Sequence, residues 1–108
     1  MTDSISTQFK KGVLDLCVLA LLDKADCYAY EIARQLADAV DMGEGSIYPL
    51  MRRLQQDGHV TSYLQESASG PPRKYYRITE AGRTSFTRQK NAWLAFTDSV
   101  SHILGTNQ

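Results

Sequence analysis

Apolar positions recur along this 108-residue chain with two different periods, and the change of period marks its elements. In "QFKKGVLDLCVLALLD" almost every side of a helix after Gly12 is apolar, which predicts a central core helix over about residues 8–23. "KADC" reads as a turn. In "YAYEIARQLADAV" the residues Ala29, Ile32, Ala33, Leu36 and Val40 fall at helical spacing and predict a second helix over about 28–40, with Tyr30, Arg34 and Asp38 on the other face. Gly43 and Gly45 break it. A third helix is expected over about 46–57, with Ile47, Leu50, Met51 and Leu54 buried. Ser46 is the expected N-cap, Pro49 fits only within the first turn, and Gly58 supplies the C-terminal stop.

The period then drops to two. "HVTSYLQ" and "RKYYRIT" read as strands joined by a stiff turn, "ESASGPP". Val60 and Leu64 alternate with polar neighbours on the first strand. On the second, Tyr76 and Ile78 share one face while Arg73, Tyr75 and Arg77 share the other. An isolated hairpin is marginal, so this one must pack on helices. Thr79 is the expected N-cap of a last helix over about 80–104, without a capping box because Gly82 stands where Glu or Gln would be needed. Along that helix Phe86, Trp93 and Val100 recur every seven residues, and Gln89, Phe96 and Ile103 do so three places later, giving a seam with one polar interruption. Such a stripe must be covered. A second copy of the chain is the expected cover, with the first helix completing the interface; packing within the same subunit is the alternative.

Composition narrows the class. The length suits one domain with a modest core. No apolar run is long enough to span a membrane, and "MTDSISTQFKKG" is not a signal peptide, so a cytoplasmic location is expected. Cys17 reads as a small buried hydrophobe, and Cys27, near a turn, as the more exposed thiol. The zero net charge hides an asymmetry. Residues 1–44 carry four bases against eight acids, whereas residues 45–93 carry eight bases against Asp57, Glu66 and Glu80. A positive field over the middle of the chain is one reading of this asymmetry; ordinary exposure of lysine and arginine on helices and hairpins is the other.

The order helix, helix, turn, helix, hairpin, long helix predicts a mainly α fold with a β-hairpin: a winged helix-turn-helix over residues 1–79 and a C-terminal dimerisation helix over 80–108. The third helix would read a duplex. Arg52 can pair with guanine, Gln56 can contact adenine or phosphate, and Arg53 lies beside them on the exposed face. Tyr48 stands one turn before Arg52 and reaches phosphate or sugar, and Ser46 sits at the helix N-terminus, where anions are favoured. Arg73 and Lys74 at the base of the wing can reach phosphates or a narrow minor groove. Tyr30 is divided between a phosphate contact and simple packing. Lys10 and Lys11 read as a solvated helix start.

With these residues in place, "GSIYPLMRRLQQDGHV" followed by "GPPRKYYRITEAGR" resembles the PadR family of bacterial transcriptional regulators, and "KGVLDLCVLALL" and "YAYEI" fit the same pattern. The resemblance covers residues 10–104. It implies a dimeric repressor whose third helix enters the major groove, flanked by the wing, and it carries those roles to Ser46, Tyr48, Pro49, Arg52, Arg73 and Lys74. It further implies a short family type with a single C-terminal helix. Some members of that type sense flat hydrophobic compounds beside a tryptophan at the dimer centre, the place that Trp93 occupies here; Leu94 and Phe96 are close enough in sequence to help line such a cavity, and Trp93 as ordinary interface core is the equal alternative. Asp98 lies about 140° around the helix from Trp93, so cationic and neutral aromatic ligands both stay open.

Other classes fit less well. His59 and His102 have no metal-ligand spacing, the cysteines form no CxxC pair, and no glycine-rich phosphate loop is present, so neither an enzyme, a cofactor nor a metal is expected. A winged-helix module used only for protein contacts is the main rival, opposed by the basic residues at 52–53 and 73–74. Recognition of single-stranded RNA would favour an exposed aromatic platform.

Overall fold

The computed structural model describes residues 12–40 and 44–106. Lys10, Lys11, Gly43 and the expected first turn of the first helix lie outside them. Within the described residues the chain forms α1 (Leu14–Lys24), β1 (Cys27–Tyr28), α2 (Ala29–Val40), a 3₁₀ turn (Glu44–Ser46), α3 (Ile47–Gln56), β2 (Val60–Ser67), β3 (Gly70–Ile78) and α4 (Glu80–Leu104). The three strands form one antiparallel sheet in the order β1-β3-β2. This is the winged-helix arrangement that the sequence predicts, followed by a long terminal helix.

The helical stripes make the core. Val18, Leu19 and Leu22 of α1, Ile32, Ala33 and Leu36 of α2, and Ile47, Leu50, Met51 and Leu54 of α3 are buried together with Val60, Tyr76 and Ile78 of the sheet. Removing these apolar surfaces from water is the main force that holds three short helices against a hairpin. Ala29, Val40 and Phe86 pack at the margin.

Several local expectations change. Gly12, at a φ of 80°, stands in a turn before α1, so the helix begins at Leu14 rather than earlier. Part of "KADC" is strand: Cys27 and Tyr28 pair with Tyr76 and Tyr75, and Cys27 is buried rather than exposed. Its thiol donates to the Ala25 carbonyl at 3.4 Å, and burial raises the pKa of both thiols, which disfavours the reactive thiolate. Ser46 does not cap α3 with its side chain. It is already helical, at φ −83° and ψ −18°, because the 3₁₀ turn leads straight into the helix, whereas a capping serine needs extended backbone. The hairpin turn is only Ala68–Ser69, and Pro71 and Pro72 lie in β3. The ladder tolerates them because the register slips between Gln65 and Ser67, and β1 reaches β3 only at residues 75–76. Leu64 does not join the core with Val60; it lies further along the wing, exposed.

One junction ties the reading unit to α4. Gly58, at a φ of 78°, closes α3, and the His59 amide returns to the Leu54 carbonyl at 2.9 Å. The Thr79 amide donates to the His59 carbonyl at 3.0 Å. The Thr79 hydroxyl donates to the Gly58 carbonyl at 2.7 Å and accepts the Gly82 amide at 3.0 Å, which makes it the N-cap of α4. Gly82 is there because nothing larger fits: a Cβ would lie 2.1 Å from the His59 carbonyl oxygen. Arg83 adds an ion pair to Asp23 of α1 at 2.7 Å. From there α4 runs past α1, with Phe86 at the margin of the core, before its outer half leaves the body.

Gly82→Ala is therefore expected to destabilise the fold by about 1–3 kcal/mol, the cost of forcing volume into a packed contact. Thr79→Ala should cost about 0.5–2 kcal/mol through the lost cap, and Thr79→Ser should restore most of it. Urea denaturation midpoints of the three variants check this order.

Candidate nucleic-acid interface

The buried stripe of α3 determines what the other side presents. With Ile47, Leu50, Met51 and Leu54 turned inward, Tyr48, Pro49, Arg52 and Gln56 are left exposed along one continuous strip. Ser46 precedes it, also exposed. Tyr30, at the start of α2, comes alongside: it and Tyr48 border one small cleft of ≈ 50 Å³ with Ala29, Ala33 and Ile47. The structure thus brings Tyr30, Tyr48 and the α3 strip onto one side of the molecule.

Arg53 is placed differently. One position round the helix from Arg52, it forms an ion pair with Asp15 of α1. Its charge is already engaged with the body, whereas Arg52 has no ion-pair partner among the described residues.

The wing separates two residues that the sequence sets side by side. Arg73 and Lys74 emerge on opposite faces of β3. Lys74 is on the inner face, its ammonium 5.7 Å from the centre of the Tyr76 ring. Burial, and then the Tyr48 phenol, raise the pKa of Tyr76. Gln55 of α3 donates to the Ser62 hydroxyl at 3.2 Å and fastens β2 to the same helix. Arg73 is on the outer face, with its guanidinium 4.7 Å from the centre of the Tyr28 ring.

That outer face carries a tyrosine row that pattern reading did not single out. Tyr28, Tyr75 and Tyr63 occupy one register across the three strands. Tyr63 and Tyr75 stack at 5.8 Å, Tyr28 meets Tyr75 at 5.4 Å, and Tyr30 stacks on Tyr28 at 6.4 Å. Arg77 lies 4.9 Å over Tyr63. Asp26, in the α1–β1 turn, accepts both the Tyr63 hydroxyl at 2.7 Å and the Arg77 Nε at 3.1 Å. The hydrogen bond to Asp26 raises the pKa of Tyr63 and of Arg77, so the phenol keeps its proton and the guanidinium its charge. The ring faces are spent on one another and on guanidinium groups. They lie side by side as a brace for the wing, not open as a platform for unpaired bases. The signal available in the sequence was the alternation of tyrosine with arginine, but the part of β1 and Asp26 follows only from the fold.

The long helix carries its apolar seam into solvent. Phe86 is half-buried at the edge of the core, and Gln89, the polar interruption, donates to the Ser85 hydroxyl at 2.8 Å. Past Lys90 the seam has little of its own chain to rest on: Trp93 is 39%, Phe96 62% and Ile103 85% exposed, with Val100 partly covered between them. Between α1 and α4 a groove of ≈ 350 Å³ is lined by Leu16, Cys17, Ala20 and Phe86, with Asp23, Lys24 and Lys90 also on its wall. Among the described residues no cluster of His, Cys, Asp and Glu is arranged to hold a metal, and no helix is long and apolar enough to cross a membrane.

Comparison with known proteins agrees with this geometry. The profile of the transcriptional regulator PadR-like family matches residues 18–88. The structure is similar to that of a PadR-like transcriptional regulator from Bacillus cereus strain ATCC 14579, at 35% identity and a TM-score of 0.83 over 90% of this chain and 96% of that one. It is equally similar to a PadR family transcriptional regulator from Eggerthella lenta DSM 2243, at 33% identity and a TM-score of 0.83 over 98% and 94% of the two chains. An uncharacterised protein of Lysinibacillus sphaericus is 29% identical over 87 residues, 77% of this chain and 80% of its own.

Proposed function

This chain belongs to the PadR-like family of transcriptional regulators, and from that premise we propose that it is a homodimeric, ligand-responsive repressor acting on a two-fold symmetric operator. As a family member it is a DNA-binding regulator rather than an enzyme. The observation that carries the finer reading is the exposed strip of Tyr48, Arg52 and Gln56 on α3, flanked by Tyr30 on one element and Lys74 on another.

In this reading residues 1–79 bind the duplex and residues 80–108 hold two copies together. Arg52 and Gln56 face base edges in the major groove, where bidentate pairing distinguishes one base pair from another. Ser46, Tyr48, Pro49 and Tyr30 approach the sugar–phosphate backbone, and Lys74 and Arg73 do so from the wing. Arg73 acts as an exposed residue with its guanidinium 4.7 Å from the centre of the Tyr28 ring. Arg53 contributes mainly by fixing α3 to α1. The exposed seam of Trp93, Phe96, Val100 and Ile103 supports pairing of two α4 helices, with Phe86 at its inner end. Exposed apolar stripes of this kind are unfavourable in water until a partner covers them. A pair of Trp93 rings with Phe96 beside them then offers a planar hydrophobic ligand a stacking site. Such a ligand acts by preferring a pair whose reading helices are wrongly spaced for the operator.

Three outcomes follow from this reading. Arg52→Ala should weaken operator binding by about 1–3 kcal/mol and relax specificity at one position, while Lys74→Ala should weaken all sequences alike and lower the salt slope by about one; anisotropy titrations over a salt series separate them. Phe96→Glu with Val100→Glu should give monomer or unfolded chain in sedimentation, because it places charge in the seam. Planar aromatic compounds should quench the single tryptophan, and Trp93→Ala should abolish both ligand binding and release from DNA; a Trp93→Ala protein still released by the inducer would make Trp93 interface core alone.

A further inference from the structure

The inner face of the hairpin changes character along its length. At its base Val60 pairs with Ile78, and both are buried. In the next inward register Ser62 pairs with Tyr76, and the Ser62 hydroxyl accepts a hydrogen bond from Gln55 of α3. One register further out Leu64 stands across from Lys74, and Leu64 is 72% exposed. It therefore points to the side that faces α3 but lies beyond the helix. β2 is also an edge strand, where an exposed aliphatic residue invites unwanted association. A polar residue would satisfy this position if solvent were its only neighbour.

We infer that Leu64 is an apolar DNA contact, seated against the deoxyribose wall of the minor groove beside the phosphate that Lys74 neutralises. The inference rests on the reading of α3 as the DNA-facing helix. Three observations select duplex DNA as the occupant. The residue continues the inner face that Gln55 of α3 already meets at Ser62. Its cross-strand neighbour is a cation, and neighbours in that relation stand about 5 Å apart, so one backbone segment can meet both. The wing is also thin: two strands end in a two-residue turn, a width suited to the edge of a groove. Apolar side chains serve as minor-groove contacts and wedges elsewhere. Leucine has no donor or acceptor for base edges. Its contribution comes from shape, through groove width and the ease of local deformation, and not from charge.

The test is Leu64→Ser in the full chain, with the duplex that the unmutated protein selects from a random-sequence pool as the probe. Affinity should fall about fivefold to tenfold, equivalent to about 1–1.4 kcal/mol. The slope of log affinity against log salt should stay unchanged, in contrast to Lys74→Ala. Leu64→Met should retain most of the affinity. The thermal midpoint of Leu64→Ser should match that of the unmutated chain, since the residue is largely exposed and lies outside the core. Unchanged affinity for Leu64→Ser, with Arg52→Ala and Lys74→Ala both weakened, would overturn this inference alone. If none of the three variants loses affinity, the reading of the α3 face fails and this inference falls with it. A Leu64→Ser protein whose sedimentation changes without DNA would show that Leu64 contacts protein, which also overturns it.

Discussion

The contact between Gly82 and the His59 carbonyl is the constraint on which the rest of the arrangement depends. It brings the first turn of α4 against the residue that ends α3 and starts the wing, with no room for a methyl group between them. The Thr79 hydroxyl completes the joint by serving the ends of two helices at once, taking the Gly82 amide and donating to the Gly58 carbonyl. Each group involved would be an unpaired helix-end donor or acceptor without the other. Reading helix, wing and long helix therefore meet in the peptide groups of Gly58, His59, Thr79 and Gly82 and one hydroxyl. Their relative orientation is set by hydrogen bonds of defined length rather than by adjustable apolar packing.

A second set of interactions braces the wing from behind. Asp26 collects Tyr63 and Arg77, and Tyr28 supports Arg73, so the outer face of the sheet is bound to the α1–β1 turn and to the first residues of α2. The inner face of the hairpin is directed to α3, while the outer face carries the contacts to Asp26 and Tyr28. Arg73 and Lys74 are adjacent in the chain but act on different sides, which is the ordinary consequence of a period of two.

The helices of the core were legible because α2 and α3 each have a buried stripe at helical spacing and α1 is apolar on most sides, whereas α4 was legible from a heptad seam that its own chain leaves largely exposed. The Thr79 cap and the Gly58 stop were legible because both are local chemistry. What escaped sequence reading was non-local. β1 is two residues long and exists only because β3 lies beside it. Its partners make Cys27 a core residue. Ser46 has the right side chain for a cap but the wrong backbone, since the 3₁₀ turn before it starts the helical conformation early. The prolines suggested a turn, yet the register slip near Gln65 accommodates them within a strand. At the interface, exposure of Tyr48, Arg52 and Gln56 followed from the α3 stripe. The diversion of Arg53 to Asp15 required knowledge of where α1 lies.

A stiff joint makes α4 a lever rather than a tether. From Gly82 to Trp93 the helix rises about 16 Å. In the proposed pair, a rotation of about 10° pivoting near Trp93 carries the joint through about 3 Å, close to the axial step of about 3.4 Å between neighbouring base pairs. The reading helix is coupled to that motion through the hydrogen bonds at Gly58, His59, Thr79 and Gly82. A small change in how two helices cross can thus put a protein of this size out of phase with its operator, without any rearrangement inside the DNA-binding unit.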